Sequence, residues 1–166
     1  PMSWNPATGL VYLPAQNSSS YYAKADEFEY RQGVWNTGLG RTRREDRPER
    51  PELTGPRTVL LALDPITNTE AWRVVSEGAH GGTMSTGGNL VFRGSGDQLI
   101  AHDARTGEEL WRRSTVALPG EPGDETWGGV PYEQRIHVGS WMPASYDPEL
   151  RLVYQGTSVP SPAPKF

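Results

Sequence analysis

Cysteine is absent from this 166-residue chain. That absence excludes disulfide bonds, thiolate metal sites and cysteine nucleophiles, but it leaves the compartment open because many secreted proteins also lack disulfides. Long apolar runs are missing too, and no stretch approaches the ~20 residues of a membrane span. The N-terminal residues 1–4 (PMSW) resemble neither part of a signal peptide, so we expect any export signal to be missing or already removed.

A surplus of positive charge is also lacking, since the formal net charge is −4 and the isoelectric point is near 5.4. Phosphate contacts need a basic face, so we expect no nucleic-acid partner. The arginines of residues 36–57 do not supply such a face, because acidic side chains of the same segment offset them. We interpret 36–57 as a charged, Pro/Gly-rich surface loop within a single region that spans residues 1–166.

Turn-forming and aromatic residues are plentiful by contrast. Glycine occurs 19 times and proline 15 times, alongside 6 Trp and 7 Tyr. Such a turn-rich chain suits many short strands better than long helices, and its aromatic side chains supply apolar surface that disordered chains lack. The composition therefore predicts a folded all-β protein with a polar surface.

A hairpin unit is repeated at residues 62–72 and 101–111. In each copy an aspartate begins the turn, where its side chain can accept amide hydrogens as an Asx-turn. Asn68 and Gly107 occupy the position that must adopt a left-handed backbone. Each copy follows apolar β-formers and ends on a tryptophan in the returning strand, so we predict two hairpins of short strands. His102 falls on a strand of the second copy and is interpreted as structural.

A second unit, made of a strand, an Asn/Asp-Pro turn and a strand, occurs at residues 4–12 and 146–154, outside the hairpin repeats. The interval from Trp72 to Trp111 is close to the ~40–50 residue period of propeller blades. We therefore predict a partial β-propeller of about four antiparallel blades, in which both tryptophans are buried where blades dock. Unrelated hairpins of a β-sandwich remain the alternative.

Three segments resemble parts of quinoprotein propellers. Residues 101–111 resemble their tryptophan-docking motif, residues 81–94 (GGTMSTGGNLVFRG) a late blade of the quinone-dependent alcohol dehydrogenases, and residues 119–127 (PGEPGDETW) the loop after an early blade. The late-type segment precedes the early-type segment here, in the reverse of the family order. The resemblance implies a partial or rearranged set of blades from the alcohol and methanol dehydrogenases that depend on pyrroloquinoline quinone (PQQ).

This resemblance implies a periplasmic or secreted enzyme that oxidises a small alcohol and passes its electrons to PQQ. Trp141 matches the family's tryptophan beneath the quinone ring, and the resemblance places His80, Gly81, Gly82 and Thr83 beside the cofactor pocket. An imidazole at His80 would hydrogen-bond a quinone oxygen. A core or inter-blade role for Trp141, and a surface or turn role for His80, remain the alternatives.

Residues 156–160 (GTSVP) resemble the family's Gly-Thr-Gly-Asn-Pro, whose asparagine oxygen helps to bind calcium. Val159 stands at that asparagine position and offers no side-chain oxygen, so the expected metal ligands reduce to the neutral hydroxyls of Ser158 and Thr157. Calcium prefers about six to eight oxygens, which makes a calcium site doubtful. The family's catalytic aspartate has no recognisable counterpart, so the catalytic residues stay unassigned.

Two functions remain open from the sequence. One is a PQQ-dependent alcohol dehydrogenase unit, which the resemblance implies. The other is a non-catalytic propeller module for structure or protein interaction, which the missing calcium and base positions favour. The docking motif does not choose between them, because non-catalytic propellers of outer-membrane assembly scaffolds share it. A partial ring leaves unpaired strand edges, so we expect a homodimer or other propeller blades to complete it.

Overall fold

The structure, a computed structural model, describes residues 1–40, 47, 49, 52–76, 80–136, 138–159 and 161–162, and it describes His80 by its main chain alone. The chain divides into two compact units. One unit joins Pro1–Gln16 to Pro56–Phe166, and the other is the intervening segment Asn17–Gly55. The charged segment predicted at 36–57 falls largely in this second unit, and its residues 41–46, 48, 50 and 51 lie outside the described residues.

The segment Asn17–Gly55 consists of turns and extended chain over its described residues. An isolated antiparallel bridge joins Lys24 to Leu39. The Asn36 side chain closes a turn by donating a hydrogen bond to the Arg31 carbonyl at 2.8 Å. The unit is therefore held locally by main-chain and side-chain hydrogen bonds.

The first unit is built from antiparallel strands and short 3-10 turns. One four-stranded sheet, blade 1, contains in spatial order β1 (Ser3–Asn5), β2 (Leu10–Gln16), β3 (Thr58–Asp64) and β4 (Thr69–Val75). A second, blade 2, contains β5 (His80–Ser85), β6 (Leu90–Ser95), β7 (Gln98–Asp103) and β8 (Glu109–Ser114). A two-stranded sheet follows, made of β9 (Ser145–Asp147) and β10 (Leu152–Tyr154). In the part of the chain that the structure describes, no helix is long and apolar enough to cross a membrane.

This architecture confirms the all-β, propeller-type fold predicted from the sequence. The described residues supply two four-stranded blades and one two-stranded sheet, fewer than the expected number of about four blades. Part of the difference arises from the long connection between β2 and β3, because Asn17–Gly55 takes up about one blade's length of sequence and its described residues form no sheet.

The repeated turns form through the side chains that the sequence marks. Asp64 Oδ1 and Asp103 Oδ1 each accept a hydrogen bond from the amide two residues on, at 2.8 Å. Asn68 and Gly107 have φ angles of 55° and 79°, which confirms their left-handed backbone. The Asn/Asp-Pro turns between β1 and β2 and between β9 and β10 close in the same way, at 2.9 Å. Local side-chain chemistry thus sets these four hairpins.

Blades 1 and 2 pack through an apolar core bordered by polar contacts. The core residues that they share are Tyr12, Leu60, Ala62, Val91 and Ala104. The Tyr12 hydroxyl is buried with its ring and donates to the Ala104 carbonyl at 3.0 Å. At the edge of this core, Ser3 Oγ donates to Thr83 Oγ1 at 3.0 Å. The polar contacts fix how the two sheets align, since apolar packing alone is non-directional.

Trp72 docks blade 1 onto blade 2. Its Nε1–H donates to the Ala104 carbonyl at 3.1 Å, and its ring centroid lies 5.7 Å from that of Tyr12. A Cβ at Gly107 would stand 2.6 Å from the Trp72 ring, so the indole packs directly on the glycine turn of blade 2. The predicted docking role of Trp72 is therefore confirmed, with its side chain partly buried.

The prediction that Trp111 is buried is wrong. Trp111 is 42% exposed, and its ring contacts that of Phe92 in the same blade at 5.6 Å between centroids. Trp72 is covered by a turn between the third and fourth strands of the next sheet. The sheet that follows blade 2 has two strands over its described residues, so it offers Trp111 no such turn.

Two further clusters complete the unit. Val153 of β10 packs against a blade 2 cluster of Phe92, Leu99 and Ala101. The excursion between β8 and β9 has its own small core of Val116, Trp127 and Val138. Arg135 lies over the Trp127 ring at 5.3 Å, forms an ion pair with Asp124 at 2.5 Å and is 5% exposed in its side chain. The described residues of this segment therefore have a defined structure although they form no strand.

Candidate functional site

Gly81 and Gly82 form an irregular step in β5, where the register with β6 shifts between His80 and Thr83. At this step the Gly82 N–H donates to the Trp141 carbonyl at 2.9 Å. Glycines inside a strand often mark a place where another main chain approaches closely. The structure thus brings together three residues that the sequence suggested for the cofactor, namely Gly81, Gly82 and Trp141.

The space beside these glycines is filled by the main chain of residues 140–143. A Cβ at Gly81 would overlap the Ser140 carbonyl and would stand 2.9 Å from the Trp141 Cα. A Cβ at Gly82 would stand 2.9 Å from the Pro143 nitrogen. Because these separations are well below carbon contact distance, a side chain at either glycine would displace the segment.

Ser140 fastens the same segment to the turn between β6 and β7 and to the first residue of β7. The residue is 2% exposed, and its Oγ donates to the Gln98 carbonyl at 2.6 Å. Its N–H donates to the Gly96 carbonyl at 2.8 Å. Both acceptors are main-chain atoms of blade 2, so the position of Ser140 follows the blade rather than the surrounding loop.

The Trp141 side chain is open to solvent although its main chain is held. The residue is 62% exposed. This exposure excludes the alternative in which Trp141 fills the core of the described sheets. An exposed indole on a fixed main chain offers a flat apolar surface on which a planar ring can stack.

Thr83 and His80 belong to the same strand as the glycines. Thr83 is 3% exposed, and its hydroxyl donates to the Tyr12 carbonyl at 3.1 Å while it accepts from Ser3. This hydroxyl therefore links blade 1 to blade 2, a role in packing that the resemblance did not indicate. The main chain of His80 pairs with that of Ser95. The His80 side chain lies outside the described residues.

The predicted metal ligands lie next to the Trp141 segment. Ser158 Oγ accepts the Gly139 N–H at 2.9 Å, and the Ser158 N–H donates to the Gly139 carbonyl at 2.9 Å. Thr157 is exposed, and Val159 is 75% exposed. Among the described residues, no group of three or more His, Asp or Glu side chains is placed to hold a metal ion. Two neutral hydroxyls fall short of the about six to eight oxygens that calcium prefers, so these residues do not fit a calcium ion.

A buried pair in blade 2 escaped the sequence reasoning. Arg93 is 2% exposed, and its Nε donates to Nε2 of His102, which is fully buried, at 3.0 Å. The Nδ1–H of His102 then donates to the Gly107 carbonyl at 2.9 Å, which fixes a neutral imidazole in one tautomer. The structural interpretation of His102 is confirmed. The available signal was an arginine within an apolar strand, because a charge there must find polar partners.

Arg93 also lines a groove of about 480 Å³ between β4 and blade 2. Burial lowers the pKa of Arg93 to about 10, while the Glu109 carboxylate acts against that shift and Arg112 adds to it. Burial also lowers the pKa of His102. The groove is lined by Val75, Ser76, Arg93, Ser95, Gln98, Ile100 and Arg112. None of these lining residues is one that the sequence suggested for the cofactor, although Ser95 pairs with the main chain of His80.

The chain is similar in sequence to quinohemoprotein alcohol dehydrogenases. The family model described as outer membrane protein assembly factor BamB matches residues 56–122. A quinohemoprotein alcohol dehydrogenase of Comamonas testosteroni is 41% identical over 128 residues, which cover 72% of this chain and 18% of that protein. The 1-butanol dehydrogenase (cytochrome c) of Thauera butanivorans is 39% identical over 121 residues, which cover 66% and 17%.

Solved structures of this kind share the fold. The crystal structure of the quinohemoprotein alcohol dehydrogenase from Comamonas testosteroni matches with a TM-score of 0.61 and 28% identity, covering 96% of this chain and 20% of that chain. A europium-containing methanol dehydrogenase matches with a TM-score of 0.60 at 20% identity, which bears on the fold alone. The chain spans about a fifth of the length of the relatives that it matches. Its motifs, its blade topology and these matches together identify the chain as a partial set of propeller blades of the quinoprotein alcohol dehydrogenase family.

Proposed function

We propose that the chain forms part of a PQQ-dependent alcohol dehydrogenase in which Trp141 provides the surface beneath the planar quinone. The observation that carries this proposal is the combination of a main chain fixed on blade 2 with an indole that is 62% exposed. A planar ring gains affinity by stacking on such a face. The name of the Thauera butanivorans relative, a 1-butanol dehydrogenase, supports a small alcohol as the substrate.

PQQ, when bound, supplies the acceptor for the two electrons that leave the alcohol. The contribution of this chain is shape and stacking. The Trp141 indole receives the ring, and Gly81 and Gly82 keep side chains out of the place where the Trp141 main chain is held. We assign neither a cation nor a base for the alcohol proton to the described residues.

A second function, a non-catalytic module for structure or protein interaction, has support of its own. Large aromatic side chains stay exposed on the sheets, with Trp4 at 58%, Trp111 at 42% and Tyr154 at 52%. Apolar surface of this kind is typical of protein contacts. For either function we propose that a second copy or other propeller blades complete the ring, in the periplasm or outside the cell. Sedimentation velocity tests this assembly, which a compact monomer at all concentrations would contradict.

Titration with PQQ, followed by tryptophan fluorescence with and without calcium, tests the dehydrogenase proposal. We expect saturable quenching, and we expect Trp141→Leu to weaken binding about tenfold, as the loss of one aromatic stacking contact would. Trp111→Leu is the matched control, because it removes another exposed tryptophan away from the Gly81–Gly82 step. An absence of saturable binding by the parent protein would contradict the proposal and favour the non-catalytic module. A dye-linked assay with short primary alcohols then separates binding from turnover.

A further inference from the structure

The main chain around Trp141 is held from two directions by blade 2. On one side the Gly82 N–H donates to the Trp141 carbonyl at 2.9 Å. On the other side Ser140 donates twice, from its N–H to the Gly96 carbonyl at 2.8 Å and from its Oγ to the Gln98 carbonyl at 2.6 Å. Two adjacent residues are thus tied to three points of one sheet.

Missing side chains on blade 2 make this arrangement possible. A Cβ at Gly94 would overlap the Ser140 carbonyl and would stand 2.8 Å from Ser140 Oγ. A Cβ at Gly81 would overlap the same carbonyl. The space that Ser140 occupies is therefore open because β5 and β6 carry glycine at these two positions.

The Trp141 indole has little else to fix its orientation. It is 62% exposed, so neighbouring side chains cover a minor part of it. The ring pairs found in the described residues are Tyr12 with Trp72 and Phe92 with Trp111, and neither involves Trp141. The direction of its Cα–Cβ bond is set by the main chain that Ser140 holds. We infer that Ser140 is a positioning residue, which fixes the point and the direction from which the Trp141 indole projects through its packing on Gly81 and Gly94 of blade 2.

This positioning affects ligand binding if the proposed function holds, and that part of the inference rests on it. A stacking ligand needs one ring plane, and an indole that moves must be ordered when the ligand binds. Loss of the Ser140 contacts is therefore expected to weaken quinone binding without removing the aromatic surface itself.

The test compares Ser140→Ala and Gly81→Ala with Gly87→Ala in the parent protein. Gly87 is the matched control, because a Cβ there meets no atom within 4 Å and the change adds the same methyl group to the same blade. Each variant is also made with Trp141→Phe, so that subtraction isolates the Trp141 emission from that of the other tryptophans. Two readouts need no ligand, namely the fluorescence anisotropy of Trp141 and the hydrogen exchange of the Gly82 amide.

We expect Ser140→Ala and Gly81→Ala to lower the anisotropy of Trp141 and to speed exchange of the Gly82 amide about tenfold, as loss of one stabilising hydrogen bond would. Gly87→Ala is expected to leave both unchanged. Unchanged anisotropy and exchange in folded Ser140→Ala would overturn the inference. Ser140→Ala adds no atoms, so it decides the question even where Gly81→Ala does not fold.

Titration of the same proteins with PQQ separates this inference from the proposed function. If the parent binds no PQQ, the proposed function fails, while the two ligand-free readouts still decide whether Ser140 positions Trp141. If the parent binds PQQ, we expect Ser140→Ala to bind several-fold more weakly and Gly87→Ala to bind as the parent does. Equal binding by Ser140→Ala would refute the link between indole orientation and affinity.

Discussion

Replacing Trp72 and Trp111 in turn by alanine compares one side chain at one repeat position in two environments. Trp72 packs on the Gly107 turn of blade 2 and donates a hydrogen bond to the Ala104 carbonyl. Trp111 holds the corresponding place in blade 2 but is 42% exposed. A difference between the two variants therefore measures the docking of one blade on the next.

The expected magnitudes follow from burial. Removal of a buried Trp side chain costs about 3–5 kcal/mol. Trp72 is partly buried and loses a hydrogen bond as well, so we expect Trp72→Ala to lower the free energy of unfolding by about 4 kcal/mol. Trp111 keeps much of its area in water, so we expect Trp111→Ala to cost about 2 kcal/mol.

Urea unfolding of the three proteins checks this difference, with the m values compared to confirm that the same surface is exposed. Trp72→Phe is a useful third variant, because it keeps a ring and loses the hydrogen bond, for an expected cost of about 1 kcal/mol. The reasoning would be refuted by a Trp111→Ala loss equal to that of Trp72→Ala. Such a result at low protein concentration would mean that the monomer covers Trp111.

Two other predictions concern the buried ionisable side chains of Arg135 and His102. Arg135 donates to two main-chain carbonyls at 2.9 Å, and Arg135→Lys cannot reproduce this fork, so we expect it to cost about 2 kcal/mol in thermal unfolding. Arg113→Lys, at a side chain 62% exposed, is the control and should melt as the parent does. The pKa of His102 lies below its ordinary value of 6.5 in the folded state, because burial disfavours the imidazolium. The unfolded chain then takes up the proton first, so stability is complete above about pH 6.5 and falls as the pH drops, by up to about 1.4 kcal/mol per pH unit. The charged groups that act on this imidazole are Arg93, Glu109 and Arg112. His102→Gln should flatten the slope between about pH 6.5 and 5.5, and equal slopes in the two proteins would contradict this reasoning.

The hairpins were predictable because their cause is local. In each turn a side-chain oxygen accepts an amide two residues away, so the same few letters produce the same geometry wherever they occur. Asn68 and Gly107 adopt the expected left-handed backbone for the same reason. The strands that flank these turns follow from β-forming residues, and the blade order follows from joining successive hairpins.

The exposure of Trp111 was not predictable because its cause is distant. The repeat places Trp72 and Trp111 alike within their own blades, but their exposure depends on what the next sheet offers. For Trp72 the next sheet offers the Gly107 turn. For Trp111 the described part of the next sheet ends at two strands. A motif therefore predicts where a side chain lies in its blade and not what covers it.

The candidate site shows the same division. Resemblance indicated Gly81, Gly82 and Trp141 one by one, but no spacing in the sequence says that the Gly82 amide reaches the Trp141 carbonyl. The role of Ser140 was invisible for the same reason, since a serine beside a tryptophan has many uses. For Thr83 the prediction and the structure differ. Its place beside the glycines suggested a contact with the cofactor, whereas its hydroxyl lies between blades 1 and 2 and donates to the Tyr12 carbonyl.

Polar groups, rather than the apolar cores, determine how these sheets are aligned. Leucine and alanine faces tolerate sliding, whereas a buried hydroxyl that loses its partner costs the desolvation of that group. The Thr83 hydroxyl fixes blade 1 on blade 2 in this way, and Ser140 fixes the Trp141 segment on the turn between β6 and β7. The contact between blades 1 and 2 and the contact between blade 2 and the Trp141 segment are the two seams. Both involve β5, where Thr83 follows directly on Gly81 and Gly82. A shift of β5 that relaxes one seam must therefore disturb the other, which links the docking of blades 1 and 2 to the placement of the Trp141 indole.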